Sequence, residues 1–123
     1  MENSIKVKPG VVFLEINKYT LEFLLALDFC CKKYGKSYTI TSANDSVHSA
    51  TTYHDDNVAW DIRLKDLKKS HWYVLRDTLK MSLGNYFDVV VENENDPVLC
   101  HIHVECDLEK LADYFMDHAE GGR

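Results

Sequence analysis

The sequence predicts an α+β fold, and three observations lead to this prediction. Segments with helical periodicity and segments rich in β-branched and aromatic residues both occur, but they do not alternate as regular βαβ units. With 123 residues and a hydrophobic content of 46%, the chain matches one domain of ordinary size, spanning 1–123. No repeat, low-complexity tract or Pro/Gly/Ser-rich linker divides it before a polar tail from His118 to Arg123.

Two helices are predicted in the first two thirds of the chain. The first runs from Asn17 to Tyr34, because Asn17 is a good N-cap residue and Gly35 is placed to end the helix. The second runs from Ser70 to Leu83, with Ser70 as its cap and Gly84 as its stop. The apolar face predicted for this second helix consists of Trp72, Leu75 and Leu79.

A third helix is predicted after Asp107, where apolar residues follow one helical stripe. That stripe consists of Leu108, Leu111, Ala112, Phe115 and Met116. The remaining structure is predicted as strands, because the segments between the helices favour extended backbone. The predicted strands are Ser37–Thr41, Val58–Leu64, Tyr86–Glu92 and His101–Glu105.

Composition argues against several classes of partner. The formal net charge is −6 and the basic residues are scattered, so nucleic acid is not an expected partner. No apolar run is long enough to cross a bilayer, and the segment from Met1 to Gly10 lacks the pattern of a signal peptide, so we expect a soluble chain with no export signal of its own. The four cysteines are too sparse for a disulfide scaffold and are expected to be reduced.

Two segments contain residues that bind metals. The first runs from His54 to Asp61, and the second reads His101-Ile102-His103-Val104-Glu105. Side chains alternate between the two faces of a strand, so His101 and His103 are predicted to share one face while Ile102 packs on the other. The same rule separates Asp61 from its apolar neighbours Trp60 and Ile62.

Two imidazoles and one carboxylate form a usual ligand set of a catalytic zinc ion, which leaves a fourth position to water. Zinc bound in this way lowers the pKa of its water toward roughly 7, and it polarises a carbonyl oxygen, so amide hydrolysis is the natural reaction. A strand histidine alone is weak support for a metal site. The two segments together are a much stronger indication.

The two segments resemble a known family, the zinc D-Ala-D-Ala carboxypeptidases and phage endolysin peptidases that share a fold with the hedgehog amino-terminal signalling domain. Members carry Ser-x-His-x-x-Gly-x-Ala-x-Asp and a later His-x-His, and this chain reads Thr52-Tyr53-His54-Asp55-Asp56-Asn57-Val58-Ala59-Trp60-Asp61 and then His101-Ile102-His103. Thr52 and Asn57 replace the serine and glycine of that pattern. The resemblance covers about 37–106 and implies an antiparallel sheet with helices packed around it.

Carried onto this chain, the resemblance implies one Zn²⁺ ion bound by His54, Asp61 and His103. It places His101 beside the metal, where it stabilises the tetrahedral intermediate or moves a proton. It also implies that His48 and Thr52 lie at the substrate. The implied substrate is a stem peptide or cross-link of bacterial peptidoglycan.

The general base is the least defined part of this prediction. Many members have an acidic residue three positions before the last zinc ligand, and here that position is Cys100. Other members have a glutamate at the end of the preceding strand, which matches Glu92. Glu92 is therefore the first candidate for the base, and Glu94 and Asp96 in the following loop are the next.

Alternative interpretations of these residues remain open. Cysteine and histidine at short spacing also form closed structural zinc sites, but strand alternation places Cys100 and Cys106 on the face opposite the histidines. Glu105 is interpreted either as a support for a metal ligand or as an ordinary edge-strand charge. His71 is interpreted as a solvated residue on a helix surface.

Two functions follow from the sequence. The first is a zinc peptidase that cleaves peptidoglycan. The resemblance implies a phage-encoded enzyme that is made in the host cytoplasm and acts at the cell wall or is carried on the virion, with possible contacts to virion proteins. The second is a non-catalytic zinc-binding or virion-associated module with the same fold. The intact ligand set favours the enzyme, and Cys100 at the usual base position favours the module.

Overall fold

A computed structural model describes residues 3–13, 16–44 and 58–107. These residues form an α+β fold with two helices and one five-stranded, mostly antiparallel sheet. The elements are β1 (Ile5–Val7), α1 (Lys18–Tyr34), β2 (Tyr38–Asn44), β3 (Val58–Arg63), α2 (Lys69–Ser82), β4 (Phe87–Glu92) and β5 (His101–Cys106). The strand order in the sheet is β1-β2-β3-β5-β4.

Helix α1 confirms the predicted first helix and both of its end signals. The side-chain Oδ1 of Asn17 accepts hydrogen bonds from the backbone N–H groups of Tyr19 (2.9 Å) and Thr20 (3.0 Å), which otherwise have no partner in the first turn. Gly35 ends the helix in the left-handed conformation, with φ of 62°. The buried side of α1 includes Phe23 and Leu27, which pack into the core.

Helix α2 confirms the predicted apolar face, because Trp72, Leu75 and Leu79 are buried. The predicted end signals were wrong. The helix begins at Lys69, with Lys68 as a cap residue that makes no side-chain capping bond, so Ser70 lies inside the first turn.

Gly84 is also not the αL stop of α2. Leu83 forms the C-cap in an extended conformation, with φ of −100°. A Cβ atom at Gly84 would lie 2.4 Å from a ring carbon of Tyr86, so this glycine is needed for the close approach of that ring.

The four predicted strands are confirmed with shifts of a few residues at their ends. They form the antiparallel part of the sheet, β2-β3-β5-β4. The sheet is not entirely antiparallel, because β1, which the sequence analysis did not predict, pairs in parallel with β2. Helix α1 connects these two parallel strands, as a crossover connection requires.

The core lies on one face of the sheet, between the strands and the helices. Trp60 of β3 is 1% exposed and stacks on Phe23 of α1, with 4.4 Å between ring centroids. All four thiols are free and buried, in agreement with the prediction of reduced cysteines. Burial raises the pKa of Cys30 to about 11, so this thiol stays protonated at neutral pH.

Neither helix in the described part of the chain has the length and apolar character needed to cross a bilayer. The predicted third helix, with its stripe from Leu108 to Met116, lies outside the described residues. The polar tail from His118 to Arg123 lies outside them as well.

Candidate metal centre

The two neighbouring strands β3 and β5 bring together two of the predicted metal ligands and the histidine predicted to lie beside the metal. Asp61 and His103 are direct partners in the antiparallel register, and His101 lies two residues earlier on β5. Burial alternates strictly along β5, with His101 and His103 partly exposed and Ile102 and Val104 buried. The prediction that both histidines share one face is therefore confirmed.

The donor atoms of these residues form a compact group, which we call the carboxylate–histidine cluster and define as Asp61, His101 and His103. One ligand atom from each lies within 4.8 Å of the others. The Oδ1 atom of Asp61 is 2.8 Å from Nδ1 of His103 and 3.6 Å from Nε2 of His101. The described residues thus contain a possible metal-binding triad with one carboxylate and two imidazoles.

His103 lies between two carboxylates. Its Nδ1 is 2.8 Å from Asp61 Oδ1, and its Nε2 is 3.1 Å from Glu105 Oε1. A carboxylate only accepts hydrogen bonds, so both ring nitrogens must carry protons to make both bonds. The bond to Asp61 chiefly, with help from Glu105 and against the effect of burial, raises the pKa of His103 to about 9.

Glu105 therefore contacts a candidate ligand, as one of the two interpretations of this residue predicted. The other interpretation, an edge-strand charge, was wrong because β5 lies between β3 and β4 in the sheet. A carboxylate that holds the outer nitrogen of a ligand imidazole fixes the orientation of the ring. Glu105 is in position to do this for His103 when Nδ1 is the ligand atom.

His101 is oriented by contacts on both sides of its ring. Its Nδ1 is 2.8 Å from the carbonyl oxygen of Leu99, which only accepts, so Nδ1 carries a proton and donates. The other ring nitrogen, Nε2, faces Asp61, and it donates to a carboxylate when protonated and can bind a metal ion when deprotonated. The same Nε2 is 2.9 Å from Oε1 of Glu92, its partner in the register of β4 and β5.

The three candidates for the general base have different surroundings. Glu92 contacts the cluster through His101. Glu94 instead accepts a hydrogen bond from the Tyr73 hydroxyl and lies 3.2 Å from the Lys69 ammonium. Asp96 accepts bonds from the backbone N–H groups that follow it, each at 2.9 Å. Of the three, Glu92 is the one that the fold holds against a member of the cluster.

The cysteines near the cluster belong to the core. Cys100 is 2% exposed and Cys106 is fully buried, and both belong to the same apolar cluster as Ile102. One metal ion cannot be bound from both faces of the strand. The arrangement therefore disfavours the closed structural site with two cysteine and two histidine ligands.

Several predicted site residues lie outside the described part of the chain. They are His48, Thr52 and His54, together with the neighbouring Asp55 and Asp56. The prediction for another histidine was wrong, because His71 is partly buried and is not a solvated residue of the helix surface. Its Nε2 is 2.6 Å from the Tyr38 hydroxyl, and burial lowers its pKa.

The sequence analysis also missed the basic residues beside the cluster. Arg63 lies two residues after Asp61 on β3, and it lines the same groove as Asp61 and His101. Strand alternation was the available signal, since it places Arg63 and Asp61 on one face. The positions of Lys8 and Lys65 in that groove depend on the tertiary fold and had no local signal.

No model of a protein family, no curated protein and no solved structure matched this chain. The function must therefore be inferred from the chemistry of the residues. The carboxylate–histidine cluster is the most informative arrangement of described residues, because Asp61 is 42 residues from His103 in sequence and the sheet register brings the two together.

Proposed function

We propose that this protein is a zinc-dependent peptidase that hydrolyses peptide bonds of bacterial peptidoglycan and has the hedgehog/DD-peptidase fold. One observation carries the proposal. Asp61, His101 and His103 hold their donor atoms within 4.8 Å of one another, on the face of the sheet opposite the core. The motif resemblance supplies the reaction and substrate class, and it assigns the ligands as His54, Asp61 and His103, with His101 beside the metal and a fourth position left to water.

The donor set fits zinc. Two donors that are each about 2.1 Å from a tetrahedral zinc ion lie roughly 3.4 Å apart. The distance of 3.6 Å between Asp61 Oδ1 and His101 Nε2 places this imidazole beside the ligand carboxylate, where it can contact the substrate without being a ligand itself. The distance of 2.8 Å between Asp61 and His103 Nδ1 is a hydrogen bond, so His103 must lose a proton and move slightly away before it binds the ion.

A zinc ion bound there supplies a Lewis acid and an activated water for attack on a peptide carbonyl. The protein residues supply the proton transfers. Glu92, which is in contact with His101, accepts a proton during attack. His101 donates a hydrogen bond to the oxygen on which negative charge develops, while Leu99 fixes the orientation of its ring.

A second candidate function is a zinc-binding module without catalytic activity. The buried Cys100 favours it, because this residue stands at the position that many peptidases of the resembled family give to the acidic base. Its side chain lies in the core, and a thiol there is not a proton acceptor for the opposite face. Fold resemblance alone does not separate the two functions.

Zinc content measured beside peptidoglycan hydrolysis separates them. For the peptidase we expect about one zinc ion per chain in the wild type, loss of zinc and turnover in His103→Ala, and retention of zinc in Glu92→Gln with turnover reduced by about 10²- to 10⁴-fold. His71→Gln is the matched control, since His71 lies away from the cluster and bonds to Tyr38.

The results discriminate as follows. Zinc binding with no hydrolysis of purified cell walls by the wild type would favour the non-catalytic module. A wild type without zinc after loading would contradict both functions. Full activity in Glu92→Gln would be compatible with a peptidase but would show that Glu92 does not take part in the proton transfers.

A further inference from the structure

A groove with a volume of about 350 Å³ opens beside the carboxylate–histidine cluster. Asp61 and His101 line one part of it. Its size lies at the lower end of the range for small-ligand sites, which is enough for one or two residues of a peptide. The chemistry of the remaining lining therefore bears on what part of a substrate lies next to the cluster.

Three basic side chains line this groove: Lys8, Arg63 and Lys65. Their grouping is unexpected in a chain with a net charge of −6. Among the described residues, neither lysine has a carboxylate within 4.0 Å, and Arg63 has only Asp66, at 3.9 Å. The positive charge is therefore poorly compensated within the described part of the protein, so an anion would be attracted to this side of the groove.

The sheet fixes these residues relative to the cluster. Arg63 is the partner of His101 in the register of β3 and β5, and it follows Asp61 on the same face. Lys8 directly follows β1, and its backbone N–H donates to the carbonyl oxygen of Ile40 on β2 at 2.9 Å.

An irregularity in β2 also lies at the groove. The register of β2 against β3 shifts between Ile40 and Ser42, as in a β-bulge. Such bulges bend a strand and redirect its side chains, and Thr41 and Ser42 at the shift both line the groove. Hydroxyl groups are thus placed between the cluster and the lysine that follows β1, where they can donate further hydrogen bonds to an anion.

We propose that Lys8, Arg63 and Lys65 form a subsite for a carboxylate of the substrate, next to the bond that is cleaved at the carboxylate–histidine cluster. This inference rests on the proposed function, because a peptide substrate supplies the carboxylate. Arg63 binds it through a charge-assisted, bidentate hydrogen bond, and the two lysines add point charges. The carboxylate is either the C-terminal one or that of an acidic residue within the peptide.

Peptide binding tests the subsite independently of turnover. The zinc-loaded Glu92→Gln variant, in which turnover is slowed, is titrated with a free-acid stem pentapeptide, L-Ala-γ-D-Glu-L-Lys-D-Ala-D-Ala, and the dissociation constant is measured by NMR with each further substitution made in this background. We expect it to rise by about 10- to 100-fold in Arg63→Gln, as for the loss of a charged hydrogen bond, and by a smaller factor in Lys65→Gln. Arg76→Gln, on α2 and outside the groove, is the matched control and should bind like the Glu92→Gln parent.

Two amidated peptides identify the carboxylate. Amidation of the C-terminus removes the effect of Arg63→Gln if the terminal carboxylate occupies the subsite. Amidation of the glutamate carboxylate removes it if the internal group does. An Arg63 effect that survives both amidations would overturn the proposal.

Failure of this inference can be distinguished from failure of the proposed function. Peptide binding that depends on Arg63, without any hydrolysis, would support the subsite and contradict the proposed peptidase activity. Hydrolysis with a KM that stays within twofold in both Arg63→Gln and Lys65→Gln would keep the peptidase and overturn the subsite. Absence of any binding to the zinc-loaded Glu92→Gln variant at millimolar free-acid peptide would also overturn it.

Discussion

Ile102 and His103 are neighbours on β5, yet they lie in opposite environments. Ile102 is fully buried against the helices, whereas the His103 side chain is 26% exposed and is held between two carboxylates. The same contrast separates Trp60 from Asp61 on β3. One face of these strands therefore supplies the apolar burial that stabilises the fold. The other face carries polar groups whose substitution should change the free energy of unfolding only slightly. Stability and metal binding should respond to different substitutions.

The largest change in stability is expected from Ile102→Ala. The substitution leaves a cavity in the core, so we expect the free energy of unfolding to fall by about 2–5 kcal/mol. Urea denaturation of the zinc-free protein measures this change. Val90→Ala, at an exposed position of the neighbouring strand, is the control. A loss below about 1 kcal/mol in Ile102→Ala would contradict the separation of the two faces.

Asp61→Asn is the corresponding change on the polar face. It keeps the shape of the side chain but removes the negative charge that the cluster offers to a cation. We expect the zinc affinity to fall by more than about 100-fold, which exceeds the usual effect of an outer-shell change. The free energy of unfolding of the zinc-free protein should change by about 1 kcal/mol or less, as for a partly exposed ion pair. Competition with a chelator and urea denaturation measure the two quantities.

Glu105→Gln should have a smaller effect on zinc, because Glu105 acts through His103. We expect a decrease in affinity of about 10- to 100-fold, with the stoichiometry unchanged. The same chelator competition measures it. Glu94→Gln is the matched control, because Glu94 contacts Tyr73 and Lys69. Equal losses in the two variants would indicate a general charge effect.

The pKa values of two histidines should be shifted in opposite directions in the zinc-free protein. The pKa of His103 is raised from 6.5 to about 9 by Asp61, so its stabilising contribution is complete below pH 6.5 and is lost as the pH rises through 9. The pKa of His71 is lowered by burial, so the folded state loses stability as the pH falls below 6.5. NMR titration of the two imidazoles checks both directions, and a lowered pKa for His103 would contradict its pairing with two carboxylates.

Local patterns in the sequence predicted the elements that depend on local physics. Asn17 and Gly35 mark the ends of α1, because capping requires only adjacent backbone groups. Alternation along β5 correctly separated His101 from Ile102. The motif resemblance further paired Asp61 with His103, which the strand register brings together.

Other features depend on residues that are distant in sequence. β1 has only three residues, and its partner β2 lies beyond α1 in the sequence, so it had no recognisable pattern of its own. His71 has its partner Tyr38 on another element, 33 residues away. Ser70 has the chemistry of a cap, but the helix begins at Lys69, where the carbonyl oxygen of Lys68 already accepts the first helical bond from His71.

The central position of β5 in the sheet has a consequence for the dynamics of the carboxylate–histidine cluster. Both edges of this strand are hydrogen-bonded, to β3 and to β4, so its backbone cannot separate without breaking two ladders at once. Its amide protons from Ile102 to Val104 should then exchange with solvent only through the rare opening of the whole sheet. The backbone that carries His101 and His103 is therefore held in place, and a metal ion bound by the cluster would exchange through motion of side chains alone.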